Sequence, residues 1–410
     1  MKKKLLRAVF VAALTSAAAI PVAQAADKVS AAVAKPLVDA QKAIAAKDWA
    51  TALADVKQAQ AVPDQSAFDT YQINKFLTLV AINTKDYATA TTAAEAAADS
   101  PAMPDEEKKD MYHNALLLAT QNKQYDKAVT YGQGLIQLNA LDDALAAALA
   151  EDYYYLKDYA NAQKYAQQSV DLAKAAGKTP NQGAMEIIMS TQAKNNNQAG
   201  AQATLEQLAL QYNDPDNWGQ LIEIGLSTKG INNQDALYLF RLKKLAGAMK
   251  PEDYQYVGTA AEARGYAMEA REAFRAGGIS GAQASKAATE AAQDERALPQ
   301  ITSAAEKSKN GEQDVKLAED LWGYGRYADV EAAARRAIAK GGLKDPSEGN
   351  MMLGLALTAQ GKYADAQAAF GAVTGSEARV KAAHLWSLYA QAQAKKSAPA
   401  AQPAAQPAGH

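Results

Sequence analysis

The sequence predicts an all-α fold of stacked helical hairpins, and two observations carry that prediction. A short pattern built on an aromatic residue recurs: KDWATA at Trp49, KDYATA at Tyr87, KQYDKA at Tyr125, KDYANA at Tyr159, YGRYADV at Tyr327 and QGKYADA at Tyr363. Neighbouring copies stand 38, 38 and 34 residues apart, with 36 between the last two, which is the period of a two-helix repeat. Each copy also has one anatomy: apolar residues at helical spacing, a polar turn, the aromatic, an alanine three residues on and a second helical stretch.

The chain opens with MKKKLLRAVFVAALTSAAAIPVAQA, a basic start followed by an apolar run and an Ala23-Gln24-Ala25 site. This is the pattern of a cleavable secretory signal over residues 1–25, so the mature chain is expected to begin at Ala26 and to be periplasmic in a Gram-negative cell. The apolar run is shorter than the roughly 20 residues a membrane helix needs. Cysteine is absent, which removes disulfides, a lipid-bearing cysteine and thiol chemistry together. Losing the segment's four positive charges takes the formal net charge from −2 to −6, and the remaining bases are interspersed with acids. No basic stripe of the kind nucleic acid requires is present.

From residue 26 to 393 the repeats follow in order. Those at Trp49, Tyr87 and Tyr125 are regular. Ala146-x-x-Leu149-Ala150-x-x-Tyr153 opens the copy containing DYYYLKDYANA, in which Tyr153 and Tyr159 are expected in the core and Tyr154 and Tyr155 outside it. The next copy, around Met185, Ile188 and Ala201, has NNNQAGA where the turn aromatic would stand. Trp218-x-x-Leu221 opens one that reaches Ala236 and Phe240 with an enlarged turn. Residues 277–310 fit no copy and read as a degenerate repeat or an insertion of helical composition. Pro63, Pro101, Pro215, Pro251 and Pro346 mark boundaries between copies, since proline stops a helix. Residues 394–410, KKSAPAAQPAAQPAGH with the preceding Ala394, are expected to be a disordered Ala/Pro/Gln tail.

Two copies are complete enough to resemble a known family. Asn350-x-x-Leu353-Gly354-x-x-Leu357, then Gly361, Tyr363, Ala366 and Phe370, and Tyr254-x-x-Val257-Gly258-x-x-Ala261, then Gly265, Ala270 and Phe274, are similar to tetratricopeptide repeats. The resemblance implies a right-handed superhelical solenoid of about eight to nine repeats, in which small residues sit at close helix approaches and large ones fill the space between repeats. It further implies a concave groove, lined by the first helices, that holds a protein or peptide partner. Carried over copy by copy, the groove positions are Lys75 and Asn83 with Leu79, His113 and Gln121 with Leu117, Glu151, Tyr154 and Tyr155, Tyr256, and Trp322 with Glu319. Aromatic rings offer contact area at low entropic cost and amides can bond a partner backbone.

No catalytic constellation is legible. The three histidines, His113, His384 and His410, are isolated, and no His-Glu-x-x-His or Gly-x-Ser-x-Gly motif exists. AAGKTP at 175–180 lacks the glycine and the preceding strand of a phosphate loop; Gly177 reads as a helix C-cap. The acidic pairs Asp142-Asp143 and Glu151-Asp152, and the run Asp105-Glu106-Glu107, read as helix-capping or solvent-facing groups. No cofactor, metal or catalytic residue is therefore expected. The function expected is that of a non-catalytic scaffold for an envelope partner; the alternatives are an accessory relative of helical-superstructure cell-wall lytic enzymes and a glycan- or solute-binding solenoid.

Overall fold

The computed structural model describes residues 28–397, so the signal-like segment and residues 398–410 of the expected tail lie outside the described residues. Among the described residues there are 20 α-helices, one 3-10 turn and no strand. None of these helices is long and apolar enough to cross a membrane. The chain divides into two compact units at Thr204/Leu205, where one array had been expected.

Unit 1 is built from α1 (Ala31–Ala45), α2 (Trp49–Gln60), α3 (Ala67–Asn83), α4 (Tyr87–Ala98), α5 (Lys108–Gln121), α6 (Tyr125–Gln137), α7 (Asp143–Tyr155), α8 (Tyr159–Ala175), α9 (Gln182–Lys194) and the start of α10 (Gln198–Tyr212). The recurring motif now has a mechanism. Lys47, Lys85, Lys123 and Lys157 end the first helix of each pair in the left-handed region, with φ of 57°, 63°, 62° and 64°. The following amide bonds back across the last turn, Asp48 N to Ala43 O at 2.9 Å and Asp158 N to Tyr153 O at 3.0 Å, which is a Schellman closure. Asp48, Asp86 and Asp158 then cap the second helix, each carboxylate accepting from the amide three residues on at 3.1 Å. The aromatic is the first residue of that second helix in all six copies. In the copy without an aromatic the backbone device survives: Asn196 has φ 59° and Asn197 accepts from Gly200 N at 2.9 Å. Paired helices bury Val33, Leu37, Val56 and Val80 at one end and Tyr71, Leu116, Leu118 and Leu135 farther along.

Unit 2 contains α11 (Pro215–Leu226), α12 (Asn233–Leu245), α13 (Pro251–Ala263), α14 (Ala267–Ala276), α15 (Ala282–Lys307), α16 (Glu312–Gly323), α17 (Tyr327–Lys340), α18 (Pro346–Ala359), α19 (Tyr363–Gly371) and α20 (Glu377–Ser397). Pro215, Pro251 and Pro346 occupy the first turns of their helices, where a missing N–H costs nothing. A Cβ on Gly354 would lie 2.4 Å from the Phe370 ring, and one on Gly258 2.3 Å from Phe274, so the small-into-large pairing expected of the two complete copies is present. Residues 282–307 form a single helix rather than a pair. The last helix continues to Ser397, so residues 395–397 belong to it and not to the tail.

One helix departs from the hairpin scheme. Every residue of α12 from Gln234 to Lys243 is buried, including four polar ones. Arg241 pairs with Glu269 of α14 at 2.6 Å and Glu319 of α16 at 2.7 Å. Lys243 is held by Glu223 of α11 at 2.6 Å and Asp253 of α13 at 2.8 Å. Asp235 pairs with Arg379 of α20, and Trp386 of α20 donates to Tyr238 O at 2.8 Å. α12 thus lies in the interior of unit 2, and α20 returns from the end of the chain to cover it. Within this unit the space expected to be an open groove is filled by the protein's own helix.

Candidate functional site

The groove candidates of unit 1 fall on the first helices α3, α5 and α7, and the structure groups part of them at the C-terminal ends of α5 and α7. Thr120 and Asp152 join those ends with a hydroxyl-to-carboxylate distance of 2.9 Å. Asp152 is wholly buried, and burial pushes its carboxyl up to about 8. The Thr120 hydroxyl donates to this carboxyl, which opposes the rise, and the same hydroxyl lies 3.0 Å from Leu116 O. The other Asp152 oxygen has no hydrogen-bond partner, nor has the buried amide oxygen of Gln121 beside Thr120.

Glu151 is half-buried and faces no cation; burial alone raises it to about 7. A carboxylate in this state is stabilised by any positive charge brought to it. Next to it, Tyr155 is 47% exposed and stacks on Tyr125 with ring centres 4.6 Å apart and planes 12° from parallel. Glu151 adds to the rise in both phenols, after burial and, at Tyr125, the Tyr155 neighbour, so the acid and the rings share one surface. Chemically this edge offers an aromatic platform, an unpaired carboxylate and an amide, which suits a cationic or amide-bearing side chain. Among the described residues no three His, Asp or Glu side chains are placed to hold a metal ion.

No family model matches the chain, and no curated protein matches it. Among solved structures it is similar to the apo form of RapI, at 13% identity and a TM-score of 0.36, over 64% of this chain and 99% of that one. It is likewise similar to a tetratricopeptide repeat protein from Parabacteroides merdae, at 11% identity and a TM-score of 0.29, over 78% of this chain and 98% of that one. Likeness at this level leaves the hairpin architecture, visible directly in the helices above, to stand on its own.

The remaining candidates separate. Lys75 is neutralised by Glu107, which also accepts from the Tyr71 hydroxyl at 2.6 Å, so it ties α3 to the turn at Asp105–Glu107. Asn83 is exposed and donates to Leu79 O at 2.8 Å within its own helix. His113 is half-buried, and burial lowers its imidazole against the opposing pull of Asp142 and Asp110, leaving it neutral. Tyr154 was expected to be free; instead its hydroxyl lies 2.7 Å from Ser190 Oγ on α9 and its ring meets Tyr159 edge-on at 5.5 Å, so it packs α7 against its neighbours. Tyr153 is core, stacked on Tyr165 at 5.4 Å, as expected. Tyr256 and Trp322 lie in unit 2. Tyr256 is 42% exposed and rests on Phe240 at 4.9 Å. Trp322 is only 8% exposed, packed on Tyr327 and Trp386, and Glu319 is the hub of the α12 charge network; neither lines a groove, because α12 occupies the space they face.

Three members of the unit 1 cluster escaped the sequence. Tyr125 reads as a turn aromatic like its repeats, and only the adjacent exposed Tyr155 turns it into a platform. Asp152 reads as a solvent-facing acid beside Glu151, yet it points between α5 and α7. Thr120 carried no signal. The one available cue was the four-residue spacing of Glu151 and Tyr155, which places them on one helical face.

Proposed function

We propose that the protein is a non-catalytic interaction scaffold that holds a protein partner at the α5–α7 edge of unit 1. The observation that carries the reading is the half-buried Glu151, which no cation neutralises, beside the exposed Tyr155 stacked on the half-buried Tyr125. An exposed ring backed by a second aromatic, next to an unpaired acid, is an anchor for a segment presenting lysine or arginine. Periplasmic location and an envelope partner belong to the same proposal, and the N-terminal basic and apolar stretch ending in Ala23-Gln24-Ala25 supports them.

A photo-crosslinking residue placed at position 155 tests the reading in cells. One partner adduct, reproducible in the envelope fraction and lost when Tyr125→Ala or Glu151→Gln is added, is the expected result. Equal adducts from a crosslinker at the exposed Lys164 of α8, or none from position 155, would overturn it.

A further inference from the structure

Four tyrosines form a continuous ladder of rings on the α5–α7 edge of unit 1. Tyr125 stacks on Tyr155 with centres 4.6 Å apart, Tyr154 stands nearly perpendicular to Tyr155 at 6.4 Å, and Tyr159 meets Tyr154 at 5.5 Å. The two ends of the ladder differ in charge. At one end Lys194, the last residue of α9, holds its ammonium 4.7 Å from the centre of the Tyr159 ring, so the fold supplies its own cation there. At the other end stands an acid, Glu151, half-buried and meeting no cation among the described residues.

Lys194 and Tyr155 occupy the same place in successive hairpins. Each comes two positions before the left-handed residue that closes a first helix, Asn196 and Lys157 respectively. One hairpin therefore lays its own cation on the turn aromatic, and the other lays an exposed ring there and leaves the cation to be supplied from outside.

The form of the surface separates the two basic side chains. Tyr125 covers one face of Tyr155, yet 47% of Tyr155 is exposed, which leaves flat aromatic area on the opposite side. Glu151 lies four residues earlier on the same helical face, where such neighbours stand about 5–6 Å apart at Cβ. A guanidinium is planar, so it can lie on a ring and still aim two N–H groups from its edge at a carboxylate. An ammonium is a compact charge and cannot match both planes. It is also the more strongly hydrated of the two, so bringing it to a half-buried carboxylate costs more.

We propose that the partner's anchor on unit 1 is an arginine side chain, stacked on the open face of Tyr155 with its N–H groups donated to Glu151, and that lysine is discriminated against. The proposal rests on the scaffold reading and narrows its partner.

NMR titration of the full chain, read at the Tyr155 and Tyr125 rings, tests it with three probes: acetyl-Ala-Arg-Ala-amide and the same peptide with lysine or citrulline in place of arginine. At about pH 8.5, where Glu151 is ionised, the arginine peptide should bind about threefold or more tightly than the lysine peptide. Citrulline keeps the plane without the charge and should bind about tenfold more weakly than arginine. Glu151→Gln should weaken both basic peptides. Tyr155→Leu keeps an apolar group at an exposed position and should bring arginine down to lysine, read at Tyr125. Equal binding of the arginine and lysine peptides, or of arginine and citrulline, would overturn the arginine anchor while leaving the scaffold reading, whose adduct at position 155 does not depend on it. No ring shift with either basic peptide while that adduct persists would also overturn it. Loss of both shift and adduct would overturn the scaffold reading as well.

Discussion

Replacing Glu151 by Gln keeps the side chain's size and removes a charge that burial disfavours. The carboxyl rises from its ordinary 4.5 to about 7 on folding, and at about 1.4 kcal/mol per unit the unpaired charge costs about 3 kcal/mol in the folded state. Folded protein binds this proton more tightly than unfolded protein does. The group's contribution is therefore fully present below the ordinary carboxyl range and is lost as pH rises through the folded value near 7. Asp152, raised to about 8 by the same burial, loses stability in the same direction and slightly later. Urea denaturation of wild type and Glu151→Gln should coincide near about pH 4.5 and separate with rising pH, the variant becoming more stable by up to about 3 kcal/mol near about pH 8.5. Taking the difference at each pH cancels whatever unit 2 contributes. A flat difference, or a variant less stable at high pH, would refute the assignment of Glu151 as an unpaired, desolvated acid. Partner capture should run the opposite way: a basic segment binds the ionised carboxylate, so capture strengthens across the same pH range in which stability falls, and Glu151→Gln should abolish the slope in capture while leaving only the Asp152 part of the slope in stability.

Gly354→Ala drives a methyl into Phe370, which the bare backbone now meets at 2.4 Å from the Cβ position, and should cost about 1–3 kcal/mol in thermal unfolding; adding Phe370→Leu should recover part of it. Asp158→Ala removes the cap on α8 and should lower stability by about 1 kcal/mol in urea denaturation, with no effect on crosslinking at position 155. Arg241→Met leaves Glu269 and Glu319 buried without a cation and should cost about 3–5 kcal/mol, most of which the triple variant Arg241→Met, Glu269→Gln, Glu319→Gln regains, measured by the same unfolding.

The hairpins were legible because their signals are local. A left-handed Lys or Gly, a cap residue that is Asp at positions 48, 86 and 158, and an aromatic at the first helical position fall within three consecutive residues, and that device recurs every 34 to 38 residues between neighbouring copies. The same locality explains the Gly354–Phe370 pairing, since both partners belong to one hairpin. The candidate site was legible only in part. Glu151 and Tyr155 share a helical face by spacing, whereas the burial that leaves Glu151 unneutralised, and the Tyr125 ring that completes the platform, depend on how α5, α6 and α7 pack. Tyr154 failed for the same reason: its exposure was decided by Ser190 on α9, 36 residues away.

The interior position of α12 was the least legible feature, because its polar residues carry the opposite suggestion. Gln234, Asp235, Arg241 and Lys243 read as the wet side of an outer helix, and they are buried only because each has a partner on another helix. The Asp235–Arg379 partners are 144 residues apart and those of Arg241 and Glu319 are 78 apart, far beyond any repeat period. Charges paired this way contribute less to stability than to uniqueness, since a shift of α12 by one residue along its axis would strand several of them without partners. An all-apolar α12 would fill the same volume and permit several registers. The network therefore explains how unit 2 keeps one arrangement around a plugged interior.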